Sequence, residues 1–123
     1  MKKFIILGAI NACLSVALGA FGAHALKASL DEYSLGIWNT GVQYQMYHAL
    51  GLLVVGLLAG KFPTSKLIST AGWLMFAGII LFAGSLFVLA LSGITILGAI
   101  TPFGGVAMVI AWILIVIAAV KHL

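Results

Sequence analysis

Charge is what this sequence has least of. Asp, Glu, Lys and Arg make up 7% of its 123 residues, against about a quarter in an ordinary soluble domain. A chain with room for one domain would need polar side chains over most of its surface to dissolve in water, and they are missing. Acidic residues number only 2. Cys13 is the single cysteine, which excludes an intramolecular disulfide. It lies inside an apolar run, so a packed thiol is expected rather than a reactive one. What remains is apolar: 64% of the chain is hydrophobic, with mean hydropathy +1.30. Most of the 15 glycines sit within these apolar runs rather than in a linker. This composition excludes a soluble enzyme, a nucleic-acid binder and a disordered segment. It points to an integral membrane protein.

The few charges confirm that solvent. Lys2, Lys3, Lys27, Lys61, Lys66 and Lys121 form no basic stripe that would hold nucleic acid; they stand at the ends of apolar segments, where lysines anchor helices at headgroups. A membrane span needs about 20 apolar residues. Four segments qualify, about 4–23, 40–59, 67–91 and 102–120, and none contains a charged residue. The expectation is a single all-α membrane domain over 1–123, a four-helix bundle surrounded by membrane lipids. The first segment imitates a signal peptide, with Lys2 and Lys3 followed by an apolar run and Ala23-His24-Ala25. That run is longer than a typical signal core, so a retained helix is expected.

Punctuation falls between the segments. Ser29-Leu30-Asp31-Glu32 and Thr40-Gly41-Val42-Gln43 read as capping boxes. Gly60 with Phe62-Pro63 ends the second span, Thr64 or Ser65 caps the third, and Thr101 precedes a proline at the first helical position. Leu30, Tyr33 and Ile37 at helical spacing, beside Asp31, Glu32 and Trp38, predict a short interfacial helix between the first two spans. The uncharged stretch Ile94–Ile100 is expected at the membrane surface or in the bundle mouth. With four spans, both termini and the 61–66 loop share one side, and that side carries all the lysines but Lys27. The positive-inside rule then places both termini in the cytoplasm of a cell (inner or plasma) membrane.

Small residues recur where helices must approach. Ala71, Gly78, Ser85 and Ser92 repeat every seven residues, as do Gly104, Ala111 and Ala118. The first span carries Gly8, Ala12, Ser15, Gly19 and Gly22, and the second Gly56 and Gly60. These predict packing seams.

Embedded polarity gathers toward the side away from the termini, with Asn11 the main exception. Gly41, Tyr44, Gln45 and His48 share one face of the second span by helical spacing. His48 falls about 12 Å along the helix from Thr40, at a depth similar to Ser85. One reading is an outward-facing polar pocket of His24, Tyr44, Gln45, His48, Ser85 and Thr101 that binds or passes a small polar solute or a lipid headgroup, with a homo-oligomer as a way to enclose more volume. The alternative is a structural or accessory subunit whose polar residues only fix helix packing, Gln45 or Tyr44 bonding to His24 and His48 to Ser85. Tyr33, Trp38, Tyr44 and Tyr47 also fit an aromatic belt, while Trp73 and Trp112 suggest nothing beyond packing. Chemistry is poorly provided for. No carboxylate lies in a span to couple cations; His24 and His48 differ in depth and do not suit haem; two histidines are too few for zinc; and Ser85 with His48 lacks a third orienting group. Neither a cofactor nor an enzyme activity is expected.

The blocks Leu18–Leu26, Thr40–His48, Phe82–Leu91 and Thr101–Gly105 with Trp112 resemble, in that order and nearly end to end, the YgdD/YwdK family of small bacterial inner-membrane proteins classed under domain of unknown function 423. The resemblance implies four membrane helices and an inner-membrane location, and supplies no activity, substrate or cofactor. Gln43 stands where that family often has Glu, so no acidic role is expected there.

Overall fold

The computed structural model describes all 123 residues. Its elements are helices: α1 (Lys2–His24), α2 (Glu32–Lys61), α3 (Lys66–Gly78), a π-helical turn (Ile79–Gly84), α4 (Ser85–Ser92) and α5 (Thr101–His122), with 3-10 turns at Leu26–Ala28 and Thr95–Ala99. Helix α3, the π turn and α4 run on as one rod, so four rods are long and apolar enough to cross a membrane: Lys2–His24, Glu32–Lys61, Lys66–Ser92 and Thr95–His122. The expected all-α four-helix membrane bundle is the observed fold.

Both termini lie at the end of the bundle that carries the 62–65 connection. A Cβ on Gly60 would run into the Met1 side chain, and the Phe62 and His122 rings stack 5.1 Å apart. The opposite end, called the loop end below, carries residues 25–31 and 93–100.

The second rod departs from expectation. There is no separate interfacial helix. Leu35, Ile37 and Trp38 form the first turns of α2 itself, which runs 30 residues from Glu32, about 45 Å at 1.5 Å per residue. Asp31, not Ser29, is its N-cap: the side chain accepts from the Ser34 N–H at 2.8 Å. Thr40 caps nothing, since it sits mid-helix with its hydroxyl donating to Gly36 O at 3.0 Å. Once Asp31 has nucleated a helix, propagation through Gly36 and Thr40 adds one bond per residue at little cost. Trp38 is consequently no belt residue. It is 3% exposed, and its indole N–H donates to Leu18 O at 3.0 Å.

Other ends follow the sequence more closely. Ser65 accepts from Ile68 N–H to cap α3. Gly93, at φ 72°, closes α4 in the left-handed conformation that a Cβ disfavours. At α5 the cap is Ile100, and Thr101 turns its hydroxyl back to Leu97 O at 3.2 Å instead of capping.

Because lipid gives apolar helices no reason to cluster, close approach and polar bonds must hold the rods together. The expected seams do this. Phe4, Gly8, Asn11, Ser15 and Gly22 are the buried residues of α1, and Gly104, Met108, Ala111 and Ala118 those of α5. Ala71, Gly78 and Ser85 are buried too, whereas Ser92 and Ala12 lie off their seams. A Cβ on Gly8 would meet Ala49 O at 2.8 Å, and one on Gly104 would sit 2.8 Å from the backbone of Leu81 and Phe82. Cys13 is exposed on the outer face of α1, not packed as expected. Between the rods lies an apolar core of Phe4, Leu52, Val55, Ile68, Met75 and Ile79, closed by Ala83, Met108, Ala111 and Ala118.

Candidate functional site

The six residues expected to share one pocket do not. Five of them divide into three groups and His24 stands apart, and the helices that carry them explain how.

Gln45, on α2, turns toward α1. Its Nε2 donates to Asn11 Oδ1 at 3.1 Å, and Asn11 Nδ2 donates to Leu7 O at 2.9 Å. Asn11, the apparent exception in depth, is thus the partner of Gln45, because α1 and α2 run antiparallel and these residues fall at one level. Gln45 Oε1 is buried without a donor. An unsatisfied buried acceptor of this kind costs about 1–3 kcal/mol. Both amides border a cavity of about 280 Å³ walled by Leu14, Leu18, Ile79, Ile80, Ala83, Gly84 and Phe87.

One turn along α2, His48 faces α5. Its Nδ1 lies 2.8 Å from Tyr44 O, and Trp112 Nε1–H donates to its Nε2 at 3.0 Å. A carbonyl only accepts and an indole N–H only donates, so the tautomer with hydrogen on Nδ1 satisfies both contacts. Both ring nitrogens are then engaged, leaving no lone pair free for a metal or a substrate proton. His48 meets Trp112, not Ser85. The sequence signal for Trp112 was available in its donor-only indole, which seeks an acceptor when it is partly buried.

Ser85 pairs with Thr101. The two hydroxyl oxygens are 2.6 Å apart, with Phe82 O 2.9 Å from Ser85 Oγ and Leu97 O 3.2 Å from Thr101 Oγ1. Two hydroxyls supply two protons, so two of these three contacts are hydrogen bonds at any moment. The group ties the start of α5 to the end of the π turn. His24 joins none of these groups; it is exposed at the end of α1.

Beside the His48–Trp112 pair the rods part. A cleft of about 560 Å³ opens between α2, the π turn and α5, with Tyr44, His48, Phe82, Val106, Met108 and Trp112 among its lining residues. Tyr44 stacks on His48 at 6.2 Å between centroids and packs at 4.8 Å against Phe82. Such rings cannot interdigitate as small residues do, and they hold α5 away from α2 at this level. The lining extends from Pro102 to Trp112 along α5, about 15 Å by helical rise. That is roughly half the hydrocarbon thickness.

Fold and site together define a four-span helical membrane protein with a lateral, mostly apolar cleft and internally paired polar side chains. Comparison with known proteins gives membrane proteins as relatives, and a family. The model for "Protein of unknown function (DUF423)" matches residues 18–105. The chain is 63% identical over 123 residues, all of both chains, to the UPF0382 membrane protein YwdK of Bacillus subtilis. It is 54% identical over 121 residues to a UPF0382 membrane protein of Staphylococcus epidermidis and 52% identical over 121 residues to one of Staphylococcus aureus, covering 98% of each chain in both cases. No solved structure matches. The chain belongs to the DUF423 family.

Proposed function

We propose that this protein binds a lipid-like molecule within the membrane, holding its apolar chain in the cleft between α2 and α5. The observation that carries this reading is the cleft itself. It has about 560 Å³ of space, seven of its ten lining residues are hydrophobic, and it runs one leaflet deep in a wall that faces acyl chains. A small polar solute would find His48 and Trp112 already bonded to each other there and little else to recognise. With lysines gathered at the terminal end, both termini belong in the cytoplasm of the cell membrane and the cleft opens to the outer leaflet. Retention by packing and partial enclosure, with no reacting group required, makes the protein a binding or accessory component and not an enzyme.

Lipid-resolved native mass spectrometry of the detergent-extracted protein tests this. The expected result is a retained apolar molecule that is lost in Gly105→Phe. At Gly105 a Cβ meets only the Phe82 ring, at ordinary distances of 3.6–3.7 Å, so the larger side chain fills the cleft without a backbone clash. A protein that carries nothing, or a Gly105→Phe variant that retains the same molecule, overturns the reading. The second reading, a subunit whose polar residues only fix packing, draws on the pairing of Asn11 with Gln45 and of Ser15 with Val42 across α1 and α2. Co-extraction of a stoichiometric partner protein would favour it.

A further inference from the structure

Away from the cleft, where α2 meets α1, the polarity of a three-group chain dictates what its free end accepts. Leu7 O is a backbone carbonyl and can only accept, so Asn11 must turn its Nδ2 to it and present Oδ1 to Gln45. Gln45 answers with Nε2, and Oε1 is left over as an acceptor with no donor. Neither amide can flip, because each flip would set two oxygens against each other. Gln45 is 4% exposed, and it borders the 280 Å³ cavity together with Asn11, Ile79, Gly84 and Phe87. One wall of that cavity is the π turn Ile79–Gly84, a distortion found often at functional sites. The complement is a neutral donor on an apolar body, since a charged one would be costly at this depth.

We propose that this cavity binds an uncharged lipid alcohol, its hydroxyl donating to Gln45 Oε1 and its chain lying against the π turn. The site is separate from the lateral cleft and rests on none of the cleft residues.

The test uses the full chain in micelles with 1-octanol carrying a photoactivatable diazirine, compared with the methyl ether of the same probe. The ether keeps the chain and removes the donor. Labelling of residues 11–18 and 79–87 is expected to be about five-fold more efficient for the alcohol, the advantage of roughly one net hydrogen bond, and to be competed by unlabelled 1-octanol. Gln45→Leu is expected to bring the alcohol down to the ether's level. Gly84→Leu is expected to abolish labelling by plugging the cavity while keeping the wild-type thermal unfolding curve, since a Cβ at Gly84 meets no atom within 4 Å and its backbone angles suit any residue. Equal labelling by alcohol and ether overturns the proposal. So does labelling that survives Gly84→Leu, labelling confined to residues 102–112, or a failure of 1-octanol to compete because water already satisfies the acceptor.

Discussion

Where α2 faces α1, a glycine or serine on one helix admits its neighbour at level after level, and the helices touch. Gly8 lies against Ala49 O, Gly22 beneath the Trp38 indole, and Ile5 fills the space beside Gly56. Three polar bonds lie along the same contact: Ser15 Oγ to Val42 O, Trp38 Nε1 to Leu18 O, and Gln45 Nε2 to Asn11 Oδ1. Where α2 faces α5 near the loop end, the side chains are aromatic, one bond joins His48 to Trp112, and the cleft remains. Both interfaces face hydrocarbon, so solvent does not explain the difference. Residue size does: glycine and serine let backbones meet, while Tyr44, Phe82 and Trp112 brace them apart.

That contrast is most exposed at Gly104, where α5 does touch its neighbour, backbone on backbone at the π turn. Gly104→Ala would set a Cβ 2.8 Å from Leu81 C and Phe82 Cα, which no rotamer relieves. A loss of about 3 kcal/mol is expected, measured as thermal unfolding in micelles by tryptophan fluorescence. A harmless substitution would mean that α5 is held by something other than this approach. Gly36 is the opposite case, a glycine with no atom within 4 Å of a built Cβ. Gly36→Ala is expected to stabilise by about 1 kcal/mol from helix propensity alone, in the same assay. Smaller effects separate the two interfaces. Ser15→Ala and Trp112→Phe each remove one interhelical bond and should each cost about 0.6 kcal/mol. Only Trp112→Phe is expected to change what the cleft retains, as mass spectrometry would report. The smallest effect lies outside the hydrocarbon. The Ser34 backbone N–H holds the Asp31 carboxyl below its ordinary pKa. A lowered folded value contributes stability above the unfolded pKa, near 3.9, that is lost as pH falls through the folded value. Faster exchange of the Ser34 amide on acidification is expected, and Asp31→Asn should remove that dependence.

Much of the fold was legible in the residues. The four rods follow from uncharged apolar lengths, and the seam at Gly8, Ser15 and Gly22 from their spacing. Ser65 and Gly93 end their helices where local chemistry requires. The beginning of α2 was misread because both Ser29 and Thr40 carry the capping pattern, and the pattern alone does not say which hydroxyl is used; Asp31 competes for the same turn and wins. The site was legible only as a set of polar residues. Their sorting into Asn11–Gln45, His48–Trp112 and Ser85–Thr101 depends on the level at which antiparallel helices meet, and the early start of α2 changed that level. The π turn left no trace in spacing, because it adds no residue type of its own.

Sequence alone thus determined the surrounding solvent, the number of rods and the faces they bury, since transfer of charge into hydrocarbon is costly enough to leave one arrangement of spans. Tertiary structure decided which polar group meets which, where the rods part, and that Gln45 keeps an acceptor to spare. Those outcomes rest on rotation and offset between helices of a few ångströms, energies small beside the cost of burying charge, and no single segment contains them.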